Sequence, residues 1–387
     1  MSFFRRLKDN LDRPREERPF GSGWLSGSGA LLAGITGMLL VVVMHYPGIF
    51  QTPDLQEFVT LRHQQWALQV VLLLGYAFAL LSLMLSKDRI LGWTALGLVI
   101  LASLIGTPDD GSSYTAPLYF GLDFFIINAL FVGFLFIPLE RYFPNYEDQT
   151  VFRPEWQEDM FYYLVSSLLV QILTFITLLP SNLITTYTDL SAMQEWIFNL
   201  PFLVQLGIIM LASDLVQYWV HRVFHMVPAL WRFHAIHHSA KSMDWMSGAR
   251  MHFVEIAILR SMTAIPMFTL GFDPAAIQAY VLIVYFYSSF IHSNIGWNLT
   301  KAEPYVVTPR FHHWHHGAEK EAIDINYAIH FPILDRLFGT HHMPEGRWPE
   351  KYGTAGEQVP RGFMKQFIFP FTKKQLPPED TDQTPAE

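Results

Sequence analysis

The 387-residue chain contains no cysteine, which excludes disulfides, thiolate zinc sites and cysteine-ligated iron–sulfur clusters. Charge is also scarce: Asp, Glu, Lys and Arg make up 16% of the residues, against about 25% in typical soluble domains. The balance is acidic, with a net charge of −8, and no basic stripe is available to neutralise phosphates, so nucleic acid is excluded as a partner. There is no internal repeat and no G-x-G-x-x-G stretch following a strand, so the chain brings no nucleotide-binding module of its own. The first 23 residues hold six basic and four acidic side chains with no small-residue cleavage site after them, and read as a cytoplasmic arm rather than a signal peptide. The last stretch, KKQLPPEDTDQTPAE, is polar and Pro-containing, and disorder is expected there.

What the chain has in abundance is apolar residues, 51% of the total. Several runs approach the roughly 20 residues that a bilayer crossing needs: Gly29 to Met44, Trp66 to Leu85, Ile90 to Gly106, Leu118 to Pro138, Met160 to Pro180 and Pro201 to Val220. The expectation is six crossings. Lys and Arg collect in alternate connections: in the arm, at Lys87 and Arg89, and at Arg141 and Arg153, with Arg62 alone in one intervening connection and none in the other two. By the positive-inside rule this places the N-terminus, and everything after the sixth crossing, on the cytoplasmic side.

Nine of the sixteen histidines lie in three short groups beyond that point: His221 and His225 in HRVFH, His234, His237 and His238 in HAIHH, and His312, His313, His315 and His316 in HHWHH. A tenth, His292, stands alone in FIHSN. On a helix, positions i, i+3 and i+4 share a face with Cβ atoms about 5 to 6 Å apart, which lets two rings grip one ion. His221/His225, His234/His237/His238 and His312/His315/His316 fit that spacing. Helices are expected at all three: the sixth run continues unbroken to Pro228, and Thr308-Pro309 is an N-cap followed by a favoured first helical residue. Between His252 and His292 lies an apolar hairpin, Phe253 to Gly271 and Ala275 to Ile291, turned at Phe272-Asp273-Pro274. An out-and-back path returns His292 and HHWHH to the face that carries the other two groups. Arg260, inside the first arm, is expensive in lipid unless it faces protein or snorkels.

Neutral imidazole suits zinc, copper, iron and nickel, and eight or nine candidate ligands imply two ions. A zinc protease would show H-E-x-x-H, but Arg222 stands where the glutamate belongs. A pair of nitrogen-ligated redox metals is the better account. Asp214 and Gln217, seven and four residues before His221 on its face, are candidates to orient ligand rings.

Over about Arg153 to His342 the chain resembles the membrane fatty acid hydroxylase and sterol desaturase superfamily. The likeness rests on RPEWQEDMFYYL, DLVQYWVHRVFH, LWRFHAIHHS, an Arg250-x-His252-x-x-Glu255 element, FIHSN, TPRFHHWHHG and NYAIHFPILDRLFGT. TP-x-x-HH-x-HHG and DRLFGT are also similar to its alkylglycerol monooxygenase branch, in which Glu typically stands where this chain has Asn294. The resemblance implies a diiron centre that uses dioxygen and two external electrons to hydroxylate a lipid, or to desaturate it by a second hydrogen loss. It implies ligation by His221, His225, His234, His237, His238, His292, His312, His315 and His316. Further out, His313, His252, Asn294 and Asn326 are candidates to hydrogen-bond ligand rings.

The expected fold is all-α: a polytopic membrane bundle with a cytoplasmic histidine-rich helical cap holding a dimetal site. Residues 1–25 form the arm, 26–140 accessory transmembrane helices, 150–345 the hydroxylase/desaturase-like domain and 346–387 a partly disordered tail. A separate ferredoxin, b-type cytochrome or reductase is the expected electron donor, and a bacterial inner membrane the expected location, with the endoplasmic reticulum as alternative. A histidine-rich metal transporter and a zinc hydrolase are the rival readings. Transit of ions, however, needs polar groups along the membrane depth, and the middles of the first six runs are almost free of them.

Overall fold

The computed structural model describes residues 2–53, 58–108, 120–150, 152–356 and 358–372. Among them the regular structure is helical, and two isolated bridges, Pro144 with Ile295 and Gly317 with Tyr352, are the β pairings seen. Helices long and apolar enough to cross a membrane are α2 (Trp24–His45), α3 (Leu61–Leu85), α5 (Leu122–Tyr142), α7 (Val170–Tyr187), α9 (Phe202–Met226) and α12 (Pro274–His292). The protein is thus an integral, multi-pass membrane protein.

The set of crossings differs from the sequence reading in three places. The run at Ile90 forms α4 (Ile90–Ile105), whose 16 residues make about 24 Å, less than a hydrocarbon core of about 30 Å. The run from Met160 to Pro180 is two helices, α6 (Trp156–Leu168) and α7. At the break the Leu168 carbonyl accepts from the Gly121 N–H, and a Cβ on Gly121 would lie 2.7 Å from the Ser167 carbonyl oxygen; this close approach takes a carbonyl that a continuous helix would use itself. Conversely, the second arm of the late hairpin, α12, joins the set. The start of the run at Leu118, and the tail from residue 373, lie outside the described residues.

The chain divides into two compact units, residues 1–131 with 148–153 and 167–171, and residues 132–147, 154–166 and 172–387. In the first, α2, α3 and α4 pack around Ala30, Leu31, Ala79, Leu91 and Ala95. Small residues permit the approach: a Cβ on Gly27 would lie 2.6 Å from Ser82 Oγ, and one on Gly75 2.7 Å from Val99 Cγ2, the close contact that favours glycine between membrane helices. The amphipathic α1 (Phe3–Leu11) is held to the α3–α4 turn by Arg6 and Asn10, which donate to the Asp88 carboxylate at 3.1 and 2.6 Å.

In the second unit, α9 packs against α11 (Phe253–Thr269) and α12 around Ile209, Met267, Phe272, Ala276 and Tyr280. The α11–α12 turn is fixed by its residues: Gly271 adopts φ +80° where a Cβ would collide with Gln194, and Asp273 caps α12 by accepting from the Ala275 N–H at 2.7 Å. At the other end of these helices lie α10 (Pro228–His238), α13 (Pro309–His315) and α14 (Ile333–Leu337), with Tyr218, Ile291, Phe311, Tyr327 and Leu334 buried together. Within the expected partly disordered tail, the described residues before 373 include packed ones: Phe369 is buried with Tyr162 and Ile236, and Gln366 donates to Glu158 at 2.7 Å.

Candidate metal centre

Each histidine motif sits at a helix end. His221 and His225 occupy the last turns of α9, His234, His237 and His238 the last turns of α10, and His292 ends α12. His312, His315 and His316 belong to α13 and its C-cap, and that helix starts where expected, Thr308 Oγ1 accepting from the Phe311 N–H at 3.3 Å.

The structure gathers all nine rings into two groups, His221, His225, His234, His238 and His315 in one and His237, His292, His312 and His316 in the other, with the facing nitrogens of each group within 4.8 Å of one another. Ligand nitrogens about 2 Å from a common ion lie at most about 4 Å apart, so both groups are near coordination size already. The groups adjoin: the rings of His238 and His316 stack at 4.4 Å, and those of His315 and His316 approach to 5.3 Å.

The outer nitrogens define what the inner ones present. His221 Nδ1 lies 3.0 Å from the Tyr327 carbonyl oxygen, His237 Nδ1 3.2 Å from that of Arg250, His292 Nδ1 2.6 Å from that of Ser288 and His315 Nδ1 2.8 Å from that of Ile325. A carbonyl only accepts, so each Nδ1 carries the proton and each Nε2 of the neutral ring is a bare lone pair. His234 Nδ1 likewise donates to Glu255 at 2.5 Å and His225 Nδ1 to Asp324 at 3.3 Å. Yet Nε2 of His221 lies 3.0 Å from Nε2 of His234, and Nε2 of His237 3.3 Å from Nε2 of His292. Lone pairs directed at each other in a buried site repel unless a cation lies between them. Nε2 of His225 and of His315 is buried without any hydrogen-bond partner. The donor set therefore fits two nitrogen-ligated cations. Burial, and next the neighbouring rings, hold His234, His237, His238, His312, His315 and His316 well below the usual histidine range, which keeps them in the neutral form that binds metal.

The outer layer departs from the sequence candidates. Asp214 does not reach a ring; its carboxylate accepts the backbone N–H groups of Ile329, His330 and Phe331 at 2.9, 3.2 and 2.8 Å. Gln217 makes no side-chain hydrogen bond among the described residues. His252 caps α11, accepting from the Val254 N–H at 3.1 Å, and its Nε2 donates to the Phe367 carbonyl. Asn294 pairs with the backbone of Tyr146, and Asn326, at φ +55°, donates to the carbonyls of Phe311 and His342. His313 lies off the ligand face but supports it: its ring is 2.7 Å from Tyr352 Oη and 3.3 Å from the His292 carbonyl.

The residues that do orient rings were missed in that role. They are Glu255, Asp324 and four backbone carbonyls, two of them in the loop 325–331. That loop is pinned between two buried carboxylates, Asp214 as above and Asp335, which accepts from the N–H groups of Tyr327 and Ala328 at 2.7 and 2.9 Å and from Thr340 Oγ1 at 2.7 Å. The carbonyl that holds His237 belongs to Arg250, whose buried guanidinium is gripped by Asp159, Glu155 and Ser239. No spacing rule finds these partners, although Glu255 and the DRLFGT stretch both lie in the segments that carry the family likeness.

Fold and site together define a class of helical, multi-pass membrane protein with paired all-histidine groups, able to hold metal, at the helix ends. Residues 206–340, which contain all nine candidate ligands, match the fatty acid hydroxylase family. The chain is similar to ornithine lipid hydroxylase OlsE of Rhizobium tropici, 30% identical over 45% of this chain and 52% of that protein. It is similar also to alkylglycerol monooxygenase of Xenopus tropicalis, 33% identical over 35% of this chain and 30% of that protein. Methylsterol monooxygenase 1-3 of Arabidopsis thaliana is 29% identical over 36% of this chain and 49% of that protein. The chain thus spans about half or less of the curated relatives it matches. No solved structure matches it.

Proposed function

We propose that the protein is a diiron oxygenase that uses dioxygen and two external electrons to hydroxylate a C–H bond of a membrane lipid. The observation that carries this reading is the set of bare, mutually facing Nε2 atoms in two adjoining groups. His221, His225, His234, His238 and His315 would hold one iron, and His237, His292, His312 and His316 the other. Bound there, the ion pair supplies the redox capacity to activate dioxygen against an unactivated C–H bond. The protein's own part is to fix six of the nine rings, His221, His225, His234, His237, His292 and His315, by their outer nitrogens, to keep the rings neutral by burial, and to keep water from the groups. No acid, base or nucleophile is required, so the histidines serve as ligands and not as proton carriers.

A lipid substrate is supported by the membrane-spanning helices and by relatives that are lipid hydroxylases and monooxygenases by name. Residues 150–345 form the catalytic domain in this reading and 26–140 an accessory membrane part. In this reading the site faces the cytoplasm, where a separate ferredoxin, b-type cytochrome or reductase can deliver electrons.

The test is elemental analysis of detergent-purified protein together with lipid mass profiles of a host with and without the gene. Two irons per chain and a lipid heavier by one oxygen are expected, and His237→Ala or His315→Ala should abolish the product and lower the iron content. One zinc per chain, or no retained metal, overturns the reading.

A further inference from the structure

The segment that follows the last histidine motif is amphipathic the wrong way round for a surface in water. It consists of α15 (Phe363–Ile368) and a short turn, Phe369–Phe371. Its polar Gln366 is buried against Glu158, while Met364, Ile368 and Phe371 are 65%, 52% and 63% exposed and Phe367 is 40% exposed. A helix facing water turns its polar side chains outward. Four large apolar side chains displayed together on so short a segment mark a surface that something covers.

The contacts of the segment indicate what covers it. The Phe363 ring lies 4.4 Å from that of Phe161 and 4.8 Å from that of Tyr162, both on α6. Phe367 stacks at 5.1 Å on His252, the N-cap of α11, whose Nε2 donates to the Phe367 carbonyl at 3.1 Å. Phe371 lies 5.4 Å from Phe233 of α10, and Arg232 sits over the Phe369 ring at 4.6 Å and donates to the Thr372 carbonyl. From this level the chain descends twice into apolar helices, through α6 into the membrane-spanning α7 and through α11. These two run side by side, Ser261 Oγ donating to the Ile176 carbonyl at 3.1 Å. Phe161, Ile172 and Phe175 on the descending path are exposed as well, so the patch continues, through Phe161, the apolar wall that faces lipid.

Charge agrees with that setting. Between Gln358 and Pro378 the sequence has four basic residues and no acidic one. Arg361 and Lys365 are exposed, Arg361 coming no nearer than 3.7 Å to Glu155. Outward Phe side chains with Lys and Arg at their rim are the composition of segments that lie in the boundary between headgroups and acyl chains. The aliphatic stems of the cations carry their heads up to anionic phosphates.

We infer that α15 and the turn after it form a membrane-surface foot. Met364, Phe367, Ile368 and Phe371 sit among acyl chains, and Arg361 and Lys365 meet the phosphates of anionic lipids. Because the same segment holds Phe233 and Arg232, the bilayer braces α10, the helix that carries His234, His237 and His238. The foot concerns the seating of the chain and does not depend on whether metal binds.

The chain has no cysteine, so a single introduced cysteine can carry a probe. Met364→Cys and Ile368→Cys, with Lys320→Cys as an exposed control in a polar turn, are each labelled with a nitrobenzoxadiazole fluorophore. The full chain is placed in nanodiscs of phosphatidylcholine with or without phosphatidylglycerol. Nitroxides on the lipid acyl chains should quench the probes at Met364 and Ile368 about threefold more strongly than the control, and aqueous iodide should do the reverse. Arg361→Gln combined with Lys365→Gln should lower the nitroxide quenching at Ile368 in discs with phosphatidylglycerol and leave it unchanged in discs without. Probes at Met364 and Ile368 that iodide reaches as freely as the control would overturn the inference. Probes shielded from both quenchers would give the patch to a protein surface, the chain's own tail or a second copy, and overturn it too. Equal quenching in the two kinds of disc, unaffected by removal of both cations, would strike anionic lipid from it.

Discussion

At the scale of single residues, Glu255 is the side chain on which the first group most depends without belonging to it. Its carboxylate accepts a hydrogen bond from His234 Nδ1 at 2.5 Å and is itself buried, which fixes the ring and raises the basicity of the opposite nitrogen. Glu255→Gln should therefore weaken metal binding by about 10- to 100-fold, measured by competition with a coloured chelator, while Glu255→Asp falls between. An unchanged affinity in Glu255→Gln would remove the residue from the site. Eight of the nine histidines were legible because helical periodicity makes them stand out, and the isolated His292 through the family resemblance, whereas Glu255 is 21 residues from His234 and Asp324 is 99 from His225. Contacts of that range are set by packing, and a single chain read linearly carries no signal for them. The same holds for Asp214, whose carboxylate meets a loop 115 residues away.

Elements decide how the histidines are shared. Residues i and i+4 are rotated by about 40° on a helix and i and i+3 by about 60° the other way. His221 with His225, His234 with His238 and His312 with His316 accordingly stay together, while His237 and His315 turn to the neighbouring group. The spacing showed which rings share a helix face but not that the face would be divided between two groups. The 325–331 loop is the other decisive element, since Ile325 and Tyr327 orient rings from two different helices. Asp335→Asn leaves its donors without a charged acceptor and should cost about 2 kcal/mol. The expected outcome is a lower melting temperature accompanied by loss of metal; a variant that melts like wild type and keeps its metal would show the loop to be held some other way.

For the molecule as a whole, burial of so much imidazole makes acid a threat to the metal-free fold. Burial pushes His330 down to about 4 and His313 down to about 3, whereas in the unfolded chain both titrate near 6.5. Above that pH neither state is protonated and stability is level. Below it the unfolded chain takes up protons that the native protein refuses, so stability falls, by up to about 1.4 kcal/mol per pH unit for each ring until its folded pKa is reached. Melting of metal-free protein should be flat from pH 7 to 8 and drop progressively from about 6.5 downwards; a melting temperature that rises towards pH 5 would refute it. The membrane character was plain in composition, but the assignment of individual crossings was not, because an apolar run does not reveal where a helix breaks. The interruption after Leu168 depends on Gly121, far away in sequence.

Since α10 and α13 each place rings in both histidine groups, neither seat can be shaped alone. If two ions bind as proposed, whatever firms these two helices around the first aligns the nitrogens awaiting the second, and a half-loaded form should be scarce.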